Sequence, residues 1–289
     1  MCRFIAYIGN PLLLDDILFQ PTNSLIKQSN HAREMKGPLN GDGFGLGWYA
    51  PDIDPNPALF KSIQPAWNDQ NLKYLAKKIR SHCFFAHVRS ASRGSVSQDN
   101  CHPFHYKQFI FMHNGDIGGF DKIKRYIRQK LSDELYEFIQ GQTDSEHFFA
   151  LFLNNFYKKK ISFETNEIAN ILTETIREIE NLKKEYSISE SSFINAAITD
   201  GNGMVVIRYV SNLKEMPLSL YYTTGMQYKC IEGVCHIHHF EDKQNKLILV
   251  ASERLTDYFD EWQEIPANHL LLINSGLITS LLRIDLDST

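Results

Sequence analysis

Glycine stands at every second position from Gly41 to Gly47, in the run Asn40-Gly41-Asp42-Gly43-Phe44-Gly45-Leu46-Gly47-Trp48. Successive side chains of an extended chain point to opposite faces, so one face of this run carries no side chains. Such a face admits another backbone or a ligand at a distance that a Cβ would forbid. The run therefore marks either a tight strand crossing or a wall beside a reactive group, and the sequence leaves both readings open. It is not a dinucleotide fingerprint. No clear helix follows it, and no acidic residue stands where a ribose would need one.

Short apolar runs surround this segment. Residues 2–8, 44–49, 83–88 and 108–113 read as buried strands by their aliphatic and aromatic density. Helices follow over 70–80, with Leu72, Leu75 and Ile79 on one face, and over 166–184, with Ile168, Ile171, Leu172, Ile176, Ile179 and Leu182 on another. Between them Thr143-Asp144-Ser145-Glu146 has the form of a capping box, opening a helix through Phe148, Phe149, Phe152 and Phe156. Strands return over 193–199 and 203–210 around the turn Asp200-Gly201-Asn202-Gly203, and then over 246–251, 269–273 and 277–283. Strands, two or three helices, then strands again is an α+β pattern. The hairpins favour antiparallel pairing, and strands apolar on both faces call for two packed sheets with helices outside. The proline-rich stretch 51–57 reads as a surface loop within one domain spanning 2–289, not as a boundary.

Composition removes several classes of function. A net charge of −4 gives no general attraction to nucleic acid or to an anionic membrane. No apolar run approaches the ~20 residues needed to span a bilayer, and the amino terminus lacks the layout of a secretory signal. Five cysteines, an odd number, do not make a dense disulfide framework and fit a reducing, cytoplasmic setting.

Cys2 follows the initiator methionine. Removal of Met1 would free an α-amine with pKa roughly 7.7–8.0, able to take the proton of its own thiol. The plain alternative is a small apolar residue opening a buried strand. Arg89 ends a core strand, where its planar fork can reach a pocket and pair a carboxylate, or snorkel to the surface. Asn114 and Gly115 end another strand. They offer an amide and a backbone N–H to an oxyanion, or simply form a turn. Asp144 opens a helix, where an acid also suits the helix dipole. The run Cys230-x4-Cys235-His236-Ile237-His238-His239 has ligand types that bind zinc, and Cys101, His102 and His105 would have to complete such a site. Its spacing fits no paired-ligand pattern, and a polar loop or hairpin edge explains it as well.

None of these segments is specific alone, but their order is. Cys2, then Gly-Asp-Gly-Phe-Gly, Ala-His-Val-Arg-x-x-Ser, His-Asn-Gly and Thr-Asp-Ser-Glu in sequence resembles the class II glutamine amidotransferase domain, from residue 2 to about residue 275. Ala251-Ser252-Glu253-Arg254-Leu255 looks like a late motif of that family. Pro38-Leu39-Asn40-Gly41-Asp42-Gly43-Phe44-Gly45 and Asn100-Cys101-His102-Pro103-Phe104 narrow the resemblance further. They match the branch holding the amidotransferase-like subunit of the fungal glutathione-degradation complex and the ergothioneine-pathway amidohydrolase. The resemblance implies a four-layer αββα sandwich with two mainly antiparallel sheets. It implies Cys2 as nucleophile, Asn114 and Gly115 as oxyanion hole, Arg89 helped by Ser92 on the α-carboxylate, and Asp144 on the α-ammonium of a small-molecule γ-glutamyl substrate. Ser90 and Arg93 depart from the Trp and His usual in amino-sugar and purine-pathway members. No metal or cofactor is implied. The amine is expected either to be released or to pass to a separate acceptor or peptidase subunit, and a catalytically silent or zinc-stabilised subunit is the alternative from a different class.

Overall fold

The layers follow from the two faces of strand β1 (Arg3–Leu13) in the computed structural model, which describes residues 2–34, 39–91, 94–231, 234–238 and 246–286. Phe4, Ala6 and Ile8 enter one apolar core, while Ile5 and Tyr7 enter another on the opposite side. A strand buried on both faces needs cover on both, which is why its sequence is nearly continuous in apolar residues.

β1 lies inside a seven-stranded sheet. Its other strands are β2 (Phe44–Ala50), β3 (Asp54–Ser62), β4 (Arg80–Val88), β9 (Tyr221–Gly225), β12 (Leu247–Ala251) and β13 (Gln263–Glu264), in the order β13-β9-β12-β1-β4-β2-β3. A second sheet of six strands comprises β5 (Phe104–Tyr106), β6 (Phe109–Asp116), β7 (Phe193–Thr199), β8 (Met204–Val210), β14 (His269–Ile273) and β15 (Thr279–Arg283), in the order β15-β14-β8-β7-β6-β5. Every strand pair in both sheets is antiparallel. The inner faces meet through Phe4, Phe85, Ile110, Met112, Val206 and Val250.

Helices cover the outer faces. α1 (Leu14–Leu18), α2 (Leu25–Asn30) and α3 (Gln70–Ala76) pack Leu14, Ile17, Leu25 and Leu72 on the first sheet. α4 (Phe120–Gln129), α5 (Asp133–Phe138), α6 (Asp144–Lys159) and α7 (Thr165–Glu185) pack on the second, where Phe111 stacks on Phe149 at 5.0 Å between centroids. The result is the expected αββα sandwich.

Local chemistry sets the boundaries. Thr143 Oγ1 accepts from Glu146 N at 3.2 Å and starts α6. Only half of the expected capping box forms, because the Glu146 carboxylate turns away and accepts from Gln140 N at 3.0 Å and Gly141 N at 2.7 Å. In the β7–β8 hairpin Asp200 Oδ1 accepts from Asn202 N and Gly203 N, and Gly201 sits at φ +92°.

Three expectations change. Residues 51–53 do turn, but 54–57 open β3 and are not loop. Pro55 and Pro57 are tolerated there because β3 is the sheet's edge, where missing donors cost little. Four helices, not two or three, separate β6 from β7. And two of the five cysteines pair, which the reading of a reducing setting did not anticipate: the hairpin that the sequence allowed for the zinc-like run forms from β10 (Gln227–Ile231) and β11 (Val234–His238), with Cys230 and Cys235 joined as a disulfide.

Candidate active site

β1 begins at Arg3 opposite Val88, the last residue of β4, so the residue before β1 faces the residues after β4. That register places Cys2. Its Sγ accepts from Ser90 N at 3.4 Å and lies 3.5 Å from Ser90 O. Burial pushes the Cys2 thiol above its ordinary pKa, and the Ser90 backbone hydrogen bond with the positive charges of Arg89 and Arg3 draws it part of the way back.

The next residue anchors the strand. Arg3 Nε donates to Glu253 Oε1 at 2.8 Å, and its Nη1 donates to Cys2 O at 2.8 Å. Glu253 Oε2 accepts from Arg33 N at 2.9 Å, and Ser252 Oγ accepts from Phe4 N at 3.0 Å. The late segment Ser252-Glu253 thus grips the start of β1 through both backbone and side chain.

Arg89 is buried and equally constrained. Its backbone N donates to Gly43 O at 2.8 Å, its O accepts from Asp42 N at 3.0 Å, and Asp42 Oδ2 accepts from Ala91 N at 2.8 Å. Its guanidinium donates through Nη1 to Ser95 O at 3.1 Å. The glycine face of β2 is filled by the chain at 101–103. A Cβ on Gly45 would stand 2.2 Å from His102 O, and one on Gly43 would stand 2.7 Å from Cys101 Sγ. The alternating glycines therefore form a tight crossing, and the start of the same run braces the segment that carries Arg89.

Asn114 and Gly115 occupy the end of β6, opposite Asn195 and Ile194 of β7. Asn114 is buried, and its Oδ1 has no hydrogen-bond partner among the described residues. Gly115 admits no side chain, since a Cβ there would stand 1.9 Å from Phe193 O. Asp144, the first residue of α6, is tied to the same strand end. Its Oδ2 accepts from Ile117 N at 2.8 Å, and its Oδ1 accepts from Ser145 N at 2.8 Å. β6 packs against β1 and β4 of the other sheet. Cys2 and Arg89 are thus brought together directly, while Asn114 and Gly115 stand on the facing strand and Asp144, at the start of α6, is tied just past that strand's end. Ser92 and Arg93 lie outside the described residues.

The zinc alternative loses its two cysteine ligands. Cys230 and Cys235 are bonded to each other, and His236 stacks on Tyr258 with its Nδ1 3.6 Å from Glu261. Cys101 directs its thiol to Ser97 O at 3.4 Å. His239 lies outside the described residues. Among the described residues no three His, Cys, Asp or Glu side chains are grouped to hold a metal, and no helix is long and apolar enough to cross a membrane.

Sequence reasoning missed the supporting residues. Arg3, Asp42 and Asn100 each serve a partner far away or a backbone group, which no hydrophobic period marks, and Glu146 was read for a capping bond that it does not make. The segments containing Asp42, Asn100 and Glu253 were visible only as motifs without roles.

The class of protein that this fold and site define is matched by sequence. The chain belongs to the class II glutamine amidotransferases, whose family model matches residues 21–288, and is an enzyme of the amidohydrolase kind. It is 39% identical over 96% of its length to a probable glutamine amidotransferase, DUG3, of Saccharomyces cerevisiae, covering 83% of that protein. Over 40% of its length it is 35% identical to the gamma-glutamyl-hercynylcysteine sulfoxide hydrolase of Mycolicibacterium smegmatis, spanning about half (51%) of that enzyme. Both relatives come from the branch that the sequence motifs indicated. Among solved structures, a glutamine aminotransferase class-II domain protein from Silicibacter pomeroyi superimposes with TM-score 0.66 at 26% identity, covering 98% of this chain and 99% of that one. The glutamine phosphoribosylpyrophosphate amidotransferase of B. subtilis shares the fold, with TM-score 0.60 at 16% identity, over 98% of this chain and 49% of that one.

Proposed function

We propose that this enzyme hydrolyses a γ-glutamyl amide through a thioester on Cys2. The observation that carries the reading is the bonding of the Cys2 thiol to the backbone of Ser90, one residue from the buried Arg89.

Removal of Met1 frees the α-amine of Cys2. Arg89 pairs the α-carboxylate of the substrate through two N–H groups, helped by the Ser92 hydroxyl as the family motif implies, and Asp144 pairs the α-ammonium. The α-amine takes the thiol proton, and the thiolate attacks the γ-carbonyl carbon. The side-chain amide of Asn114 and the N–H of Gly115 receive the oxyanion. Collapse of this intermediate breaks the C–N bond, and the leaving amine takes the proton back from the α-ammonium of Cys2. Water then adds to the thioester and releases glutamate and the free thiol. The buried, raised-pKa thiol suits a nucleophile that stays protonated until an adjacent base acts.

The substrate is a γ-glutamyl compound larger than glutamine, a reading supported by the hydrolase relative, which is named for such a compound. The test combines intact mass with a release assay over glutamine, glutathione and other γ-glutamyl amides. Loss of Met1 and labelling of Cys2 by a diazo-ketone glutamine analogue are expected. Retained Met1 would favour a catalytically silent subunit, and labelling at Cys83 or Cys101 with Cys2 inert would overturn Cys2 as the nucleophile.

A further inference from the structure

The motif Asn100-Cys101-His102-Pro103-Phe104 is only partly explained by the glycine crossing, which uses Cys101, His102 and Pro103. Its first residue does something else. Asn100 is buried, and its side chain bridges two loops that are far apart in sequence. Its Nδ2 donates to Ser95 O at 2.9 Å, the same carbonyl that receives Arg89 Nη1 at 3.1 Å. Its Oδ1 accepts from Gln142 N at 2.8 Å, two residues before Asp144. The backbone gives way to admit it. A Cβ on Gly94 would stand 3.0 Å from its Nδ2, and one on Gly141 would stand 2.5 Å from its Oδ1.

We propose that Asn100 is a positioning residue that holds the Arg89 loop and the start of α6 at a fixed separation. The inference rests on the reading of Arg89 and Asp144 as the groups that grip the α-carboxylate and α-ammonium. Those two substrate groups share one carbon, so the separation of their protein partners must be set before binding to avoid an ordering cost. Asparagine suits the bridge because it carries a donor and an acceptor on one short arm. Aspartate keeps the acceptor but loses the donor, alanine loses both, and glutamine is one methylene too long for the space.

The test is steady-state kinetics of Asn100→Ala and Asn100→Asp on whichever γ-glutamyl amide the wild type cleaves, with melting temperatures measured alongside. KM should rise at least about tenfold in both, because hydrogen bonds that orient the grip are lost, and kcat should fall much less. Iodoacetamide, which has no amino-acid head, should alkylate Cys2 at the wild-type rate in both variants. The diazo-ketone glutamine analogue should need a higher concentration to do so. Combined with Arg89→Lys, the effect of Asn100→Ala on KM should be less than multiplicative, because both act on one grip. If Asn100→Ala does not fold, Asn100→Asp, which retains the Gln142 bond, decides. An unchanged KM, with or without a lowered melting temperature, would overturn the proposal while leaving the γ-glutamyl reading intact. A wild type that neither cleaves any γ-glutamyl amide nor is labelled by the analogue would overturn that reading, and this one with it.

Discussion

Arg3 and Glu253 stand 250 positions apart in the chain and meet at 2.8 Å in the interior, almost wholly out of water. Because Arg3 also holds Cys2 O at 2.8 Å, this ion pair sets where the nucleophile candidate begins. Glu253→Ala would remove the carboxylate of this buried ion pair, which should cost about 3–5 kcal/mol. Replacing both partners, as Arg3→Met with Glu253→Leu, should recover most of that stability without recovering turnover. Urea midpoints and kcat for the single and double variants check this. A double variant with wild-type kcat would show that the pair holds the fold and nothing more.

An N-terminal extension should leave the fold intact and stop catalysis, because the amine of Cys2 becomes an amide that cannot accept a proton. Circular dichroism, together with turnover before and after proteolytic removal of the extension, separates the two effects. An uncleaved extended protein as fast as the processed one would mean that another group deprotonates the thiol.

Arg89 and Asn114 should fail in different ways. Arg89→Lys keeps the charge but loses the planar fork, so KM should rise sharply while kcat holds better. Asn114→Ala should lower kcat by about 10²–10³, the range for losing one oxyanion donor. Small, equal effects of both would remove these residues from the pocket.

Acid should destabilise the fold through buried neutral histidines. The His87 and His102 rings lie 4.2 Å apart between centroids, tilted by 32°, and neither nitrogen of His102 has a hydrogen-bond partner among the described residues. Burial holds His87 at about 3 and His102 well below its ordinary value. His147 is held at about 4 by burial, partly offset by its bond to Thr143 O. The unfolded chain protonates these rings near pH 6.5 while the folded one does not. Stability is therefore unaffected above that pH and falls as pH drops below about 6.5, by about 1.4 kcal/mol per unit for each histidine still neutral in the fold, with His147 ceasing to contribute below about 4 and His87 below about 3. Urea titrations at several pH values should show a shallower fall for His102→Phe than for the wild type. Parallel curves would mean that His102 is not neutral in the fold.

The periodic parts of the fold were legible in the sequence, and the reason is packing. β2, β4, β7, β8 and α7 lie where one or both faces are buried, so their boundaries fell within a few residues of the apolar pattern. α1 and α2 are too short to display a helical period, and β3 was masked by Pro55 and Pro57, which read as loop until the edge position is known. The candidate residues were found because motifs flagged them. Their supports were not, since Asp42 binds a backbone N–H and Arg3 pairs across the whole chain, neither of which leaves a local signal.

Asp144 is where a structural role and a binding role most nearly coincide. Its Oδ2 accepts from Ile117 N and its Oδ1 from Ser145 N, so it secures the first turn of α6 whether or not a substrate is present. If that were its whole role, Asp144→Asn should cost stability of about 1 kcal/mol or less, since one carboxyl oxygen survives, and should leave catalysis alone. If it also pairs the substrate ammonium out of water, the same change should lower kcat/KM by about 2–5 kcal/mol, a factor of roughly 30 to several thousand. A γ-glutamyl analogue lacking the α-amine separates the two. The wild type should handle it far worse than the full substrate, whereas Asp144→Asn should barely distinguish the pair. The coupling energy from this cycle of two enzymes and two substrates measures the ion pair directly. Zero coupling, with only a lowered melting temperature, would confine Asp144 to the helix start and leave the ammonium to another group.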